Sequence, residues 1–158
     1  MSRAAFDIAV HELGTAEIYG DAHNDRIIEY HQTTSLKATS DEVPWCASFV
    51  NWCLREAGFT GTNSARARSF LNYGEPVALN DIRAGDIVVF SSRTNGASGN
   101  NPMQGHVAFF CEWRDVRKGT MNVCGGNQSN QVSITTYGIE NLIGIRRPTQ
   151  PITTKSST

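Results

Sequence analysis

The chain lacks the marks of several common protein classes. No apolar run approaches the roughly 20 residues needed to cross a bilayer as a helix. The opening stretch MSRAAFDIAVHELG holds no uninterrupted apolar core followed by a cleavage signal. The expectation is therefore a protein made in the cytoplasm without a signal peptide. Charge excess is nearly absent, at a formal net −1 over 158 residues, so no global field recruits nucleic acid or an anionic membrane. Neither is expected as a partner. The spacings CxxC, HExxH and HxxxH are missing, and structural zinc usually draws on such local pairs. No metal and no cofactor are expected. Cysteine is sparse: Cys46, Cys53, Cys111 and Cys124, in a chain of this size without a visible signal peptide, are a poor setting for a disulfide framework and read as reduced thiols. Repeats and domain-sized linkers are missing too.

What is present suffices for one buried core, with 39% hydrophobic residues. The expectation is a single domain over residues 1–148 and a disordered tail over 149–158, where TQPITTKSST has nothing to bury. The first half has helical period. Ala5, Ile8, Ala9 and Leu13 share one face, closed by Gly14, and a short run carrying Ile27, Ile28 and Tyr30 starts plausibly at Asn24. ARARSFLNYG reads as a further helix, with Ala67, Phe70 and Leu71 inward. The second half changes period: DIVVF, HVAFFCEW, MNVCGG, VSITTY and LIGIRRP are short runs rich in β-branched and aromatic residues, separated by turn chemistry. Helices followed by strands give an α+β domain with an antiparallel sheet. His11, His23 and His31 sit among polar neighbours at no ligand spacing and are expected on the surface.

The stretch DEVPWCASFVNWCLREAG, Asp41 to Gly58, organises the rest. Cys46, Phe49, Val50, Cys53, Leu54 and Ala57 recur at helical spacing, Pro44 suits the first turn and Gly58 stops it. Cys46 then lies where unpaired amides and the helix dipole favour an anion, which biases its thiol toward the nucleophilic thiolate. A buried cysteine is equally an ordinary core residue. Nucleophilic cysteine chemistry also needs a base and a group that orients the base. His106 opens one strand and Asn127 ends the next, and antiparallel pairing brings such positions together. Individually, His106 also reads as an edge histidine and Asn127 as turn chemistry. Gln128 and Asp41 are candidate walls of the site. Between the second-half strands, Ser91 to Gly105 is a polar, glycine-rich connection longer than the usual hairpin loop, and it delivers the chain to His106.

The blocks PWCASFVNW, RAGDIVVF, GHVAFF and CGGNQ resemble the papain-like peptidoglycan hydrolases of the CHAP and NlpC type, in particular small phage and bacterial proteins. The resemblance runs from ELGTAEIYG to GIRRP and implies a papain-like fold, with a cysteine-bearing helix packed on a histidine-bearing sheet. It implies Cys46 as nucleophile, His106 as base and Asn127 as orienting group, with Trp45, Gln128 and Asp41 lining the substrate site. The implied substrate is the peptide part of bacterial peptidoglycan, cut within the stem or at the muramoyl–L-alanine bond. It further implies action in the periplasm or wall after export, injection or holin-mediated release, as phage lysin or antibacterial effector, with an immunity protein or a secretion or tail component as partner. Two departures stand out: Gly125 replaces an acidic residue common two positions before the asparagine, and Trp45 replaces the aspartate that NlpC members usually carry before the cysteine. An acyltransferase, or a non-enzymatic wall-binding module in which Cys46 only packs, are the alternatives.

Overall fold

The computed structural model describes residues 4–18, 24–36, 45–91 and 105–149. Three helices, α1 (Ala4–His11), α2 (Asp25–His31) and α3 (Cys46–Glu56), precede six strands: β1 (Glu75–Pro76), β2 (Ile87–Phe90), β3 (His106–Asp115), β4 (Thr120–Gln128), β5 (Gln131–Gly138) and β6 (Leu142–Arg147). The strands form one antiparallel sheet in the order β1-β6-β2-β3-β4-β5. This is the expected α+β arrangement. Asp41, Pro44, His23, most of the Ser91–Gly105 connection and nearly all of the tail lie outside the described residues. Among the described residues, no helix is long and apolar enough to cross a membrane.

Strand alternation splits the apolar residues between the two faces of the sheet. Ile87 and Val89 of β2, with Val107, Phe109 and Cys124, join α3 residues Phe49, Val50, Cys53 and Leu54 in one core. Val88 and Phe90, with Ala108, Phe110, Val123, Tyr137 and Ile145, fill a second core on the opposite face. Both faces of β2 are therefore covered, and this is why IVVF is an unbroken apolar run. Asp86 at its foot is 1% exposed. It takes the Arg147 guanidinium on both carboxylate oxygens at 2.7 and 2.8 Å and also accepts Arg83 N–H at 2.8 Å, which ties β6 to the turn entering β2.

An aromatic cluster locks α2 to α3. Tyr30 stacks on Trp45 at 5.8 Å between ring centroids and packs edge-on against Phe49 at 5.1 Å, while its hydroxyl donates to Glu12 at 2.6 Å.

Four expectations change. ARSFLN is a 3₁₀ helix, Ala67–Asn72, rather than an α-helix. Leu13 is exposed, because α1 ends at His11 and the next turn leaves the core. The short strand β1, hydrogen-bonded to β6, carries too little pattern to be seen in sequence. His31 is fully buried instead of on the surface: its Nδ1 lies 2.9 Å from the Ser48 hydroxyl of α3, a partner that local neighbours do not reveal. His11 is exposed, as expected.

Candidate active site

Cys46 is the first residue of α3, and Trp45 at the N-cap provides no side-chain cap. First-turn amides left without such a partner favour an anion. Burial is the largest influence on the Cys46 thiol and pushes its pKa upward. His106, by its charge and by a side-chain hydrogen bond, together with the backbone amides of Val107 and Ala47, outweighs that burial and leaves the thiol below its ordinary value. The other thiols behave oppositely. Burial drives Cys53 well up, Cys111 to about 11 and Cys124 to about 12. One sulfur of four is thus tuned toward thiolate, and it is the one beside a histidine.

His106 opens β3, and its Nε2 lies 2.8 Å from Gln128 Oε1. The amide's orientation follows from its other end. Gln128 Nε2 donates to the carbonyl of Ser133 at 2.7 Å and to that of Val123 at 3.4 Å, and carbonyls only accept. Oε1 must therefore face the histidine, and it can only accept a proton held on Nε2. That fixes the tautomer and leaves Nδ1 as the basic nitrogen. The imidazole also lies flat on Tyr137, with centroids 5.1 Å apart and planes 2° from parallel.

The partner of His106 is a correction to the expectation that placed Asn127 there. Between Gly125 and Gln128, β4 slips by one residue against β5, whose register runs Gly125↔Ser133 and then Gln128↔Gln131. Asn127 sits in this bulge at φ +59. Strict alternation from Val123 and Gly125 would turn residue 127 to the histidine's face; the extra residue hands that place to Gln128. Gln128, 4% exposed, therefore sits against His106 Nε2 rather than on an open wall of the site. A glycine inside a strand is a bulge signal, and Gly125-Gly126 carried it. Gly125 also explains the missing acidic residue: a Cβ there would come within 2.8 Å of Gln128 Oε1 and of Ala108 Cβ, so the glutamine occupies that space.

Trp45 is likewise corrected. It is 0% exposed and cannot line a substrate site. Its indole N–H donates to Glu17 at 2.8 Å, and its ring covers Gly126, where a Cβ would approach within 2.6 Å. Glu17 in turn belongs to a segment bonded to the β4–β5 hairpin, through Glu17 N–H to the carbonyl of Asn130 and the Ala16↔Gln131 bridge. Trp45 thus pins the start of α3 to the strand end that carries Gln128. Asp41 lies outside the described residues. Tyr137 has no special spacing in sequence, and strand register does not reveal its stack on the histidine either, since it pairs with Met121, which pairs with Trp113 far along β3 from His106.

A helix-start thiol packed on an antiparallel sheet, facing a strand-start histidine backed by an amide, is a papain-like domain. Residues 38–127 match the CHAP domain family, and the chain belongs to it. Solved structures of similar fold include an NLP/P60 family protein, similar to lipoprotein, from Staphylococcus aureus, with 17% identity, a TM-score of 0.52, and coverage of 94% of this chain and 41% of that one. An NlpC/P60 family protein from Bacillus cereus gives 17%, 0.55, 93% and 40%, and the P60 domain of an antigen from M. avium paratuberculosis gives 10%, 0.53, 92% and 91%. The chain thus spans about two fifths of the first two. None of the curated proteins compared matches it.

Proposed function

We propose that this chain is a cysteine hydrolase that cuts an amide bond in the peptide part of bacterial peptidoglycan. Cys46 is the nucleophile, His106 the base and then the acid, and Gln128 the orienting group. The observation that carries the reading is the contact of a thiol of lowered pKa with a histidine whose far nitrogen is held by Gln128. The thiolate of Cys46 attacks the amide carbon and the carbonyl oxygen becomes an oxyanion, which amides at the start of α3 stabilise. As the C–N bond breaks, His106 gives its Nδ1 proton to the departing amine. Water, deprotonated by the same nitrogen, then attacks the thioester, releasing the carboxylate and restoring the thiol–histidine pair. Tyr137 and Gln128 hold the imidazole plane through both half-reactions.

The substrate lies outside the cytoplasmic membrane, so the enzyme acts after export, injection or release, as a phage lysin or an antibacterial effector paired with an immunity protein. The test is digestion of purified sacculi followed by mass spectrometry of the fragments. New amino and carboxyl ends within the stem identify an endopeptidase; free muramoyl carboxylate and L-alanine amine identify an amidase. Unchanged sacculi, or equal digestion by Cys46→Ala, would sink the reading.

A further inference from the structure

The hydrogen bond from His106 Nε2 to Gln128 holds one edge of the imidazole, and a flat neighbour restrains the plane of the ring. That neighbour comes from outside the segment that matches the family. Tyr137, on β5 and 9% exposed, presents its face to the imidazole at 5.1 Å and 2°. Tyr137 also stacks with Phe90 of β2, at 4.6 Å and 27°, so its ring has a second aromatic contact that holds it in place. We propose that Tyr137 is a positioning residue for the Cys46–His106 pair: its ring sets the plane of His106, and its electron-rich face steadies the imidazolium while Cys46 is ionised.

The inference rests on the catalytic pair proposed above. The groups that contact the imidazole include Cys46 from α3, the neutral amide of Gln128 from β4, and Tyr137, and an aromatic face attracts a cation. The pair Cys46⁻/His106⁺ exists between two macroscopic titrations. Loss of the aromatic face lowers the upper limit, because imidazolium gives up its proton more readily. Loss of orientation raises the lower one, because the thiolate loses its partner.

The readout is the pH dependence of Cys46 alkylation by iodoacetamide, which needs no wall substrate, together with kcat and KM on sacculus fragments. Tyr137→Phe keeps the ring and is expected within about twofold of wild type. Tyr137→Leu is expected to lower kcat about three- to tenfold at unchanged KM, the rate equivalent of one aromatic pair, and to narrow the alkylation window from both sides. Pentafluorophenylalanine placed at 137 preserves shape but reverses the charge pattern of the ring face; it should keep the melting temperature and still lower the upper limit. It decides the matter if Tyr137→Leu does not fold. A wild-type window and kcat in both variants would overturn the proposal. If wild type and His106→Ala alkylate with the same pH profile, the catalytic pair itself is wrong, whatever Tyr137 does.

Discussion

Gln128 and Asn127 are neighbours on β4, yet their substitution should have separable effects. Removing the Gln128 carbonyl frees His106 Nε2 and permits the tautomer whose Nδ1 carries a proton and cannot act as base. Gln128→Ala is expected to lower kcat about 10- to 100-fold, the scale of a small misplacement of a catalytic group. Asn127→Ala should leave kcat within about twofold and cost roughly 1 kcal/mol of stability, since alanine resists the left-handed backbone at φ +59. Asn127→Gly should recover that stability. Steady-state kinetics and urea melts on the three variants check both statements, and a larger kinetic loss in Asn127→Gly than in Gln128→Ala would return the orienting role to the asparagine. The thiols differ in the same measurable way. Cys46 should alkylate at neutral pH in the folded protein. Cys111 and Cys124, with thiols at about 11 and about 12, should stay protonated and slow until pH rises toward those values or the chain unfolds. Peptide mapping after a brief pH 7 pulse reads this directly; equal labelling of Cys111 would contradict it.

At the scale of elements, the helix carrying the thiol and the strand carrying the histidine were legible because each is set by its own period: Cys46 to Leu54 repeats at helical spacing, and HVAFF is a continuous apolar run. The joint between them was not, because it is made of contacts distant in sequence. Trp45 reads as a site aromatic until Glu17 and Gly126 are seen to enclose it, and His31 reads as a surface residue until Ser48 is seen beside it. Gln128 was read as a wall of the site and its contact with His106 was not legible, since one bulge inverts the alternation that pointed to Asn127. The joint yields its own test. A methyl group at position 126 would stand 2.6 Å from the Trp45 ring and 2.8 Å from Phe49 Cβ, both on or next to α3. Gly126→Ala should therefore cost about 1–3 kcal/mol, the range for overpacking a filled core. It should also reduce activity in the protein that remains folded, because the strain pushes the start of α3 away from β4. Urea unfolding with activity normalised to folded protein separates the two losses.

For the molecule as a whole, the sheet holds the site from behind, and under the proposed function export decides whether the site meets its substrate. Arg147 spans β6 and the turn before β2 through Asp86. Arg147→Ala leaves a carboxylate 1% exposed without its cation and should cost about 3–5 kcal/mol, read as a lower urea midpoint with the pH profile of alkylation unchanged. Catalysis in the cell depends on place. Peptidoglycan stem peptides are cross-linked outside the cytoplasmic membrane, so the protein expressed in the cytoplasm of a Gram-negative cell should be nearly harmless. Joined to a periplasmic export signal it should cause rounding and lysis within a few generations, and the same fusion carrying Cys46→Ala should not. The thiol control matters because a membrane-active protein would kill without Cys46, while an enzyme with a cytoplasmic substrate would kill without export. A wall hydrolase requires both. Time-lapse microscopy of the exported and retained forms, each with and without Cys46, measures the four cases. Equal killing by the retained form, or lysis that survives loss of the thiol, would remove peptidoglycan as the substrate and leave the Cys46–His106 pair to serve acyl transfer on another amide or ester.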